Sequence, residues 1–546
     1  MRFRLPRSQA PLARSYGPLA TVAVAFVIMA IAVDPLPRDR ETFAGNVSVP
    51  TIQTGNGPVV TNPDGTQGKS GQAGTSGQQG AQNPSGNQGG VQPCTDRVRQ
   101  VAAPYSPPCY AFSGENGGAT SRGVTPSEII ISARELEGPS AAEIFADISG
   151  ENVSDSPEAV EDTIRAINEY FNKHFQLYGR KIKLVQFKGQ GNGASELLGG
   201  GKEKAQSDAV QAANEIKAFA DISGFTIPYA DALARKGVIN IGAPYPSRKW
   251  FVEHRPYAWS LFPDGTNVVE AHSSWVISRL TGQNTAEYAG DGIKGKPRKY
   301  AVVAPENAEY QESVNSYIGI LAKAGIKVSL NVKYKLDISS MPNQASGIIA
   351  QLKDAGVTSV LCGCDPVMLA LGLTPKSNEQ DYNPEWLTAG LAFVEQDIVG
   401  QLIDEKQWAH AFGIAYNAES EVFGKSAGYF AYKEMRPNGE PAFGVEAVYY
   451  QFLMLAIGLQ MAGPNLTPQT FEAGMFAYPG GTGPQGTWHF GPGDYTPMDD
   501  FREIWWSNER ISPQNNKPGT WVQLNGGRRY FAGQVPKGRA PYFEQG

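Results

Sequence analysis

From residue 123 onward the chain alternates short β-branched apolar runs with stretches whose apolar positions recur every three to four residues. That alternation predicts strands and amphipathic helices in turn. Strands are expected over 129–131, 181–187, 218–222 and 238–241, and helices over 158–175, 202–217 and 227–236. A segment rich in proline and aromatic residues, 245–263, interrupts the series. The pattern then resumes with helices over 267–280, 310–324 and 341–355 and strands over 300–304, 327–332 and 358–361. The remainder predicts helices at 420–435 and 445–461 and aromatic strands at 486–490, 501–506 and 520–524, too little for a third unit. Strands separated by helices of this length imply parallel sheets covered on both faces. Two such series joined by a Pro-rich crossover give an α/β protein of two lobes.

The first 122 residues break this pattern. Arg2, Arg4, Arg7 and Arg14 precede an uncharged run whose apolar core, 19–33, stops at Asp34-Pro35, which is the form of an export signal. Ala30-Ile31-Ala32 suits a signal peptidase, whereas 17–33 is long enough to remain in the bilayer as an anchor. Residues 1–33 are therefore a signal peptide or a signal anchor, and either places the rest outside the cytoplasm, secreted or membrane-anchored. Residues 34–122 read as a linker, because 46–93 is dominated by Gly, Gln, Asn, Ser and Thr and cannot offset its ordering entropy.

Charge narrows the partners. With 47 basic and 53 acidic residues the formal net charge is -6, so no basic footprint for nucleic acid is present. Cys94 and Cys109 flank a Pro-rich segment and are expected to form a disulfide in an oxidising compartment. Cys362-Gly-Cys364 is too close-set for an easy disulfide and lacks the second pair a zinc site needs, so it reads as two small buried residues ending a strand.

The segment Gly123-Val124-Thr125-Pro126-Ser127-Glu128-Ile129-Ile130-Ile131 resembles the opening of type I periplasmic solute-binding proteins, the group that includes the leucine/isoleucine/valine-binding protein. Ile167-Asn168-Glu169-Tyr170, Tyr178-Gly179-Arg180-Lys181, Ala218-Phe219-Ala220-Asp221 and Gly237-Val238-Ile239-Asn240 resemble its later elements in the same order, over roughly residues 123–531. The resemblance implies two doubly wound lobes joined by a three-strand hinge, with a small polar organic molecule such as an amino acid or amide held between them. One lobe would be 123–257 plus 416–478 and the other 258–415 plus 483–531, leaving 532–546 as a C-terminal tail. The implied partners are the permease subunits of an ABC-type importer, and the membrane itself if the N-terminal segment is uncleaved.

Ligands in open α/β sheets sit beyond the carboxyl ends of the strands. That rule selects Thr226, as a ligand contact or a helix cap, and the loop of Ala243, Tyr245 and Ser247, where the family presents backbone groups and a hydroxyl. In the second lobe the resemblance puts Tyr310 in the cleft, and Asp365 either caps the next helix or touches the ligand. Phe393 falls where amino-acid binders place an acidic residue, with Glu395 two positions on, which leaves amides and aromatic acids as open as amino acids. Glu137, in the loop after the first strand, would attract a cationic group or simply be solvated.

Enzyme chemistry finds little footing. The five histidines are scattered without an H-E-x-x-H pattern, and no G-x-S-x-G elbow occurs. Within Gly189-Gln190-Gly191-Asn192-Gly193, Gly191-x-Gly193 lacks the third glycine of G-x-G-x-x-G and its strand-to-helix context, and Gly201-Lys202 is followed by Glu203 rather than Ser or Thr. No cofactor or metal is expected, and the chain is expected not to be an enzyme. The expected function is solute capture for import, with a tethered sensor and an extracytoplasmic hydrolase as the alternatives.

Overall fold

The apolar run 129–131 continues into Ser132 and Arg134 on the same strand, with Asp221 paired beside Ser132, and all three polar residues are buried. The computed structural model describes residues 90–137, 156–197, 200–337, 340–422, 424–442 and 444–544. The expected signal segment and most of the expected linker lie outside them. No helix of the described residues is long and apolar enough to cross a membrane.

Residues 90–122, read as linker from composition, are instead folded. Strand β1 (Val91–Pro93) pairs antiparallel with β2 (Tyr110–Phe112), and Cys94 is bonded to Cys109. Tyr105 is fully buried, stacks on Trp488 at 4.4 Å and donates its hydroxyl to the Gly486 carbonyl. The segment has few apolar side chains, and those few dock on a core built much later in the chain.

The first lobe has a parallel sheet in the order β4-β3-β5-β6-β7, from β3 (Glu128–Glu137), β4 (Lys181–Asn192), β5 (Ala220–Asp221), β6 (Ile239–Ile241) and β7 (Ala258–Trp259). Helices α1 (Pro157–His174), α2 (Lys202–Val210), α3 (Ile227–Arg235) and α4 (Arg248–Glu253) connect these strands. Helix α1 begins where Ser156 accepts the Ala159 N–H and proline occupies the first turn. The sheet packs Ile129, Ile131, Phe219, Ile239 and Trp259 into the main core.

The second lobe is a larger sheet, β16-β15-β12-β11-β10-β8-β9, with β17 paired to β15. Its parallel part is β8 (Tyr300–Pro305), β9 (Val328–Tyr334), β10 (Ser359–Cys362), β11 (Glu385–Thr388) and β12 (Ala411–Ala415). On the last of the chain's crossings between the lobes lies a small hairpin, β13 (Gly481–Gly483) with β14 (Gly486–Trp488). Strands β15 (Asp500–Ile511), β16 (Pro518–Gln523) and β17 (Arg529–Phe531) then add antiparallel. Helices α5 (Gly265–Leu280), α6 (Ala308–Lys323) and α7 (Met341–Asp354) flank this sheet, and Asp264 caps α5 by accepting the Asn267 N–H at 2.7 Å. Helices α8 (Ala427–Met435), α9 (Val445–Met461) and α10 (Pro468–Phe476) return to the first lobe, where Gln451 of α9 donates to the Ile222 and Ile241 carbonyls. The chain thus passes between the lobes three times, at 260–264, 416–426 and 477–499.

Several elements differ from the sequence reading. Ala258–Trp259 belongs to the first sheet, pairing with β6. Helix α8 starts at Ala427 rather than 420, because Ser426 is its cap and Ser420 is occupied by the Asp397 N–H. The tail beyond 531 is part of the second lobe: Tyr542 is buried and donates to Glu503 Oε1 at 2.6 Å. Cys362 and Cys364 are buried at the end of β10, as expected, and are also bonded to each other, a pairing their close spacing did not suggest. The chain leaves β10 and bends at Gly363, so their Cα atoms stand 5.0 Å apart, inside the span a disulfide bridges. Mass spectrometry of the unreduced protein is expected to return two peptides linked through Cys94 and Cys109, and a single peptide carrying Cys362 and Cys364 that is lighter by two hydrogens than its reduced form. A free thiol at any of the four positions would refute the pairing it belongs to.

Candidate functional site

Helices α5 and α6 each turn one stripe toward the same space. Gly265, Val268, Val269 and His272 on α5, and Tyr310, Ser313, Val314 and Tyr317 on α6, recur at the spacing of one helix face and line a cavity of about 180 Å³. The carboxyl ends of β8, β10 and β11 close it with Val302, Ala304, Leu361 and Ala389. The Cys362–Cys364 disulfide and Asp365 contribute to the wall, and Pro244 and Tyr245 reach in from the first lobe. Contact there is tight: a Cβ on Gly265 would lie 2.6 Å from both Ser313 Oγ and the Tyr245 carbonyl oxygen, so only glycine fits.

Tyr245, Ala392 and Phe393 all have positive φ, a conformation that costs any residue with a Cβ. Tyr245 and Ala392 meet at the cavity, where Tyr245 Oη accepts the Ala392 N–H at 2.9 Å. That bond spans the two lobes and leaves the Tyr245 hydroxyl proton free to donate elsewhere.

Of the residues singled out from sequence, Tyr245, Tyr310 and Asp365 line the cavity. Asp365 also caps the following turn, accepting the Val367 and Met368 N–H groups, while Tyr334 donates to its other oxygen at 2.7 Å. Thr226 does not line the cavity: it is buried and its hydroxyl donates to Glu196. Ala243 is buried with its N–H on the Gly224 carbonyl. Ser247 caps α4 and donates to Glu312 at 3.1 Å. Phe393 is packed edge-on against Phe262, 5.4 Å between ring centres, and is buried away from the cavity wall. The backbone of Glu137 ends β3 opposite Asn192, and its side chain lies outside the described residues.

The first-lobe loops that the strand-end rule selects are filled from within. Arg134 forms ion pairs with Glu196 at 2.8 Å and Asp208 at 3.0 Å, all three side chains fully buried, and lies over the Tyr229 ring at 3.5 Å. Gly189 and Gly191, which resemble part of a phosphate loop, are small for this reason: a Cβ at either would collide with Arg134 and its carboxylates.

The sequence model of a family described as periplasmic binding protein matches residues 144–504. The chain belongs to that family. Membership carries a solute-binding role and an extracytoplasmic location. Solved structures of periplasmic binding proteins share its fold at low identity. A solute binding protein of an R. palustris ABC transporter, in complex with 4-hydroxybenzoate, is 12% identical with a TM-score of 0.52, covering 74% of this chain and 98% of that one. A substrate binding protein of an Aeropyrum pernix ABC transporter is 14% identical, TM-score 0.53, covering 74% and 96%. A fatty acid ABC transporter substrate-binding protein from Thermomonospora curvata is 14% identical, TM-score 0.52, covering 78% and 100%. No curated protein sequence matches the chain.

In this periplasmic binding protein the residues that sequence reading missed are those on the helix faces. Ser313, Val314 and Tyr317 follow Tyr310 at helical spacing, so the signal was present once one of them was placed. His272 Nδ1 is 2.7 Å from the Tyr317 hydroxyl, and burial pushes its imidazolium down to about 3, leaving it neutral. Glu395, behind Tyr245, accepts from Asn417 at 2.6 Å and is pushed up to about 7 by burial. On the third crossing His489, Asp494 and Asp499 each bring one possible metal-ligating atom within 4.8 Å of the others, and burial raises both carboxyl groups. None of these three lines the cavity.

Proposed function

We propose that this protein captures a compact organic molecule with an apolar body in the cavity and delivers it to the permease of an ABC-type importer. The observation that carries this reading is the position of the cavity: one wall comes from the second lobe's strand ends and the other from Tyr245 on the first lobe. Hinge motion about the three crossings would open and close such a space. Its volume of about 180 Å³ is below the roughly 300–1,000 Å³ of pockets for drug-sized ligands, which favours a single ring or a short chain. The hydroxybenzoate bound by the R. palustris protein and the fatty acid named for the T. curvata protein have apolar bodies of this kind.

A ligand that binds only the folded state raises its melting temperature. Thermal-shift screening of the exported protein against small aromatic and aliphatic solutes is expected to give a concentration-dependent rise. A flat response across such a set would count against the reading. Tyr310→Ala should then weaken the best solute more than tenfold, about 1.4 kcal/mol. Calorimetry showing unchanged affinity would remove Tyr310 from the site.

A further inference from the structure

Resting on the solute-binding reading, we infer that the cavity takes an uncharged molecule, an apolar body bearing a hydrogen-bonding oxygen or amide, and discriminates against the corresponding carboxylate. The lining supplies abundant apolar contact, including Val268, Val269, Val302, Val314, Leu336 and Leu361. Among the described residues it contains no lysine or arginine. The histidine it does contain, His272, is held neutral by burial, with Nδ1 already at the Tyr317 hydroxyl. Residues 138–155, which follow the first strand and lie outside the described residues, contain no Lys, Arg or His in their sequence.

The remaining sources of positive potential are helix starts: that of α5 at Gly265 is capped by Asp264, that after β10 is capped by Asp365, and the first turn of α6 lies beside Pro305 and Tyr310. Glu306 and Glu309 lie on or next to that turn, and the N–H groups of Tyr310 and Gln311 are both taken by the Asn307 carbonyl. The lining acid, Asp365, adds negative character, and its oxygens are already occupied by Tyr334, Val367 and Met368. An ionised carboxylate in this space would lose its water without gaining a counter-charge, and that desolvation is costly.

Neutral polar atoms are served better. Ser313 Oγ is buried without a hydrogen-bond partner beside Gly265 and the Tyr245 carbonyl. The Tyr245 hydroxyl accepts from Ala392 and keeps its proton to donate. A hydroxyl, carbonyl or primary amide on an otherwise apolar solute completes both groups, and a buried polar group left unmatched is what such a solute relieves.

Calorimetric titration of the exported full chain at neutral pH, with the probe pairs benzyl alcohol and benzoate, benzamide and benzoate, and hexanol and hexanoate, tests the inference. The expected result is that the uncharged member of at least one pair binds tenfold or more tightly than its carboxylate. Ser313→Ala should weaken that uncharged probe several-fold without lowering the melting temperature of the free protein. Carboxylates binding as well as or better than their neutral partners would overturn the inference while leaving solute binding intact. No heat from any probe, with no thermal shift, would overturn both.

Discussion

Arg134→Met is expected to lower the unfolding free energy by about 3–5 kcal/mol, the cost of stranding a buried charge. The Arg134, Glu196 and Asp208 side chains are all fully buried, and the guanidinium bridges both carboxylates while lying over Tyr229. Asp208 also accepts the Gln190 and Gly191 N–H groups, so the same network holds the end of β4. Methionine keeps most of the volume and leaves two carboxylates without their cation. Urea denaturation monitored by tryptophan fluorescence would measure the loss. The triple variant Arg134→Met, Glu196→Gln, Asp208→Asn should recover a large part of it, because neutral amides carry a smaller desolvation penalty. A loss below about 1 kcal/mol, the level of an exposed pair, would show that the network is not sealed from water.

Glu395→Gln is expected to act in the opposite direction. Burial raises the folded-state carboxyl to about 7, against about 4.3 in an unfolded chain, so the folded protein binds this proton more tightly. Between those values the folded state carries more protons than the unfolded state, and stability falls as pH rises. The wild type therefore loses on the order of 3 kcal/mol from this group between pH 4 and pH 8, and the isosteric amide does not. The substituted amide still presents an oxygen to Asn417, which donates to Glu395 Oε1 in the parent. Thermal or urea unfolding of both proteins across that range would give a difference that grows toward alkaline pH. A difference independent of pH would mean that Glu395 is hydrated in the folded state.

Both sites lie at the carboxyl ends of sheet strands, where strand-end loops were expected to meet a ligand. In the first lobe that space is closed by the Arg134 network, which is why Thr226 spends its hydroxyl on Glu196. In the second lobe it stays open, and the cavity forms between α5 and α6. The difference comes from side chains that approach across large sequence separations, as Arg134 does with Glu196 and Asp208. No local pattern registers such an approach.

Local periodicity was enough to establish the α/β alternation, most helices and the parallel strands, because apolar spacing and capping residues act within a few positions of themselves. The helix expected over 158–175, the helix over Val445–Met461 and the strands at 129–131 and 300–304 are of this kind. Ordered resemblance over the same stretch was enough to bring out the family and to single out Tyr245, Tyr310 and Asp365. Tertiary structure alone decided the rest. The docking of residues 90–122 depends on Trp488, the Cys362–Cys364 bond on a bend at Gly363, and the burial of Tyr542 on Trp275 and Glu503. The apolar character of the cavity depends on two helix faces meeting three strand ends. Each is a contact that local apolar spacing does not encode, and its energy arises only after the chain has folded to bring the partners together.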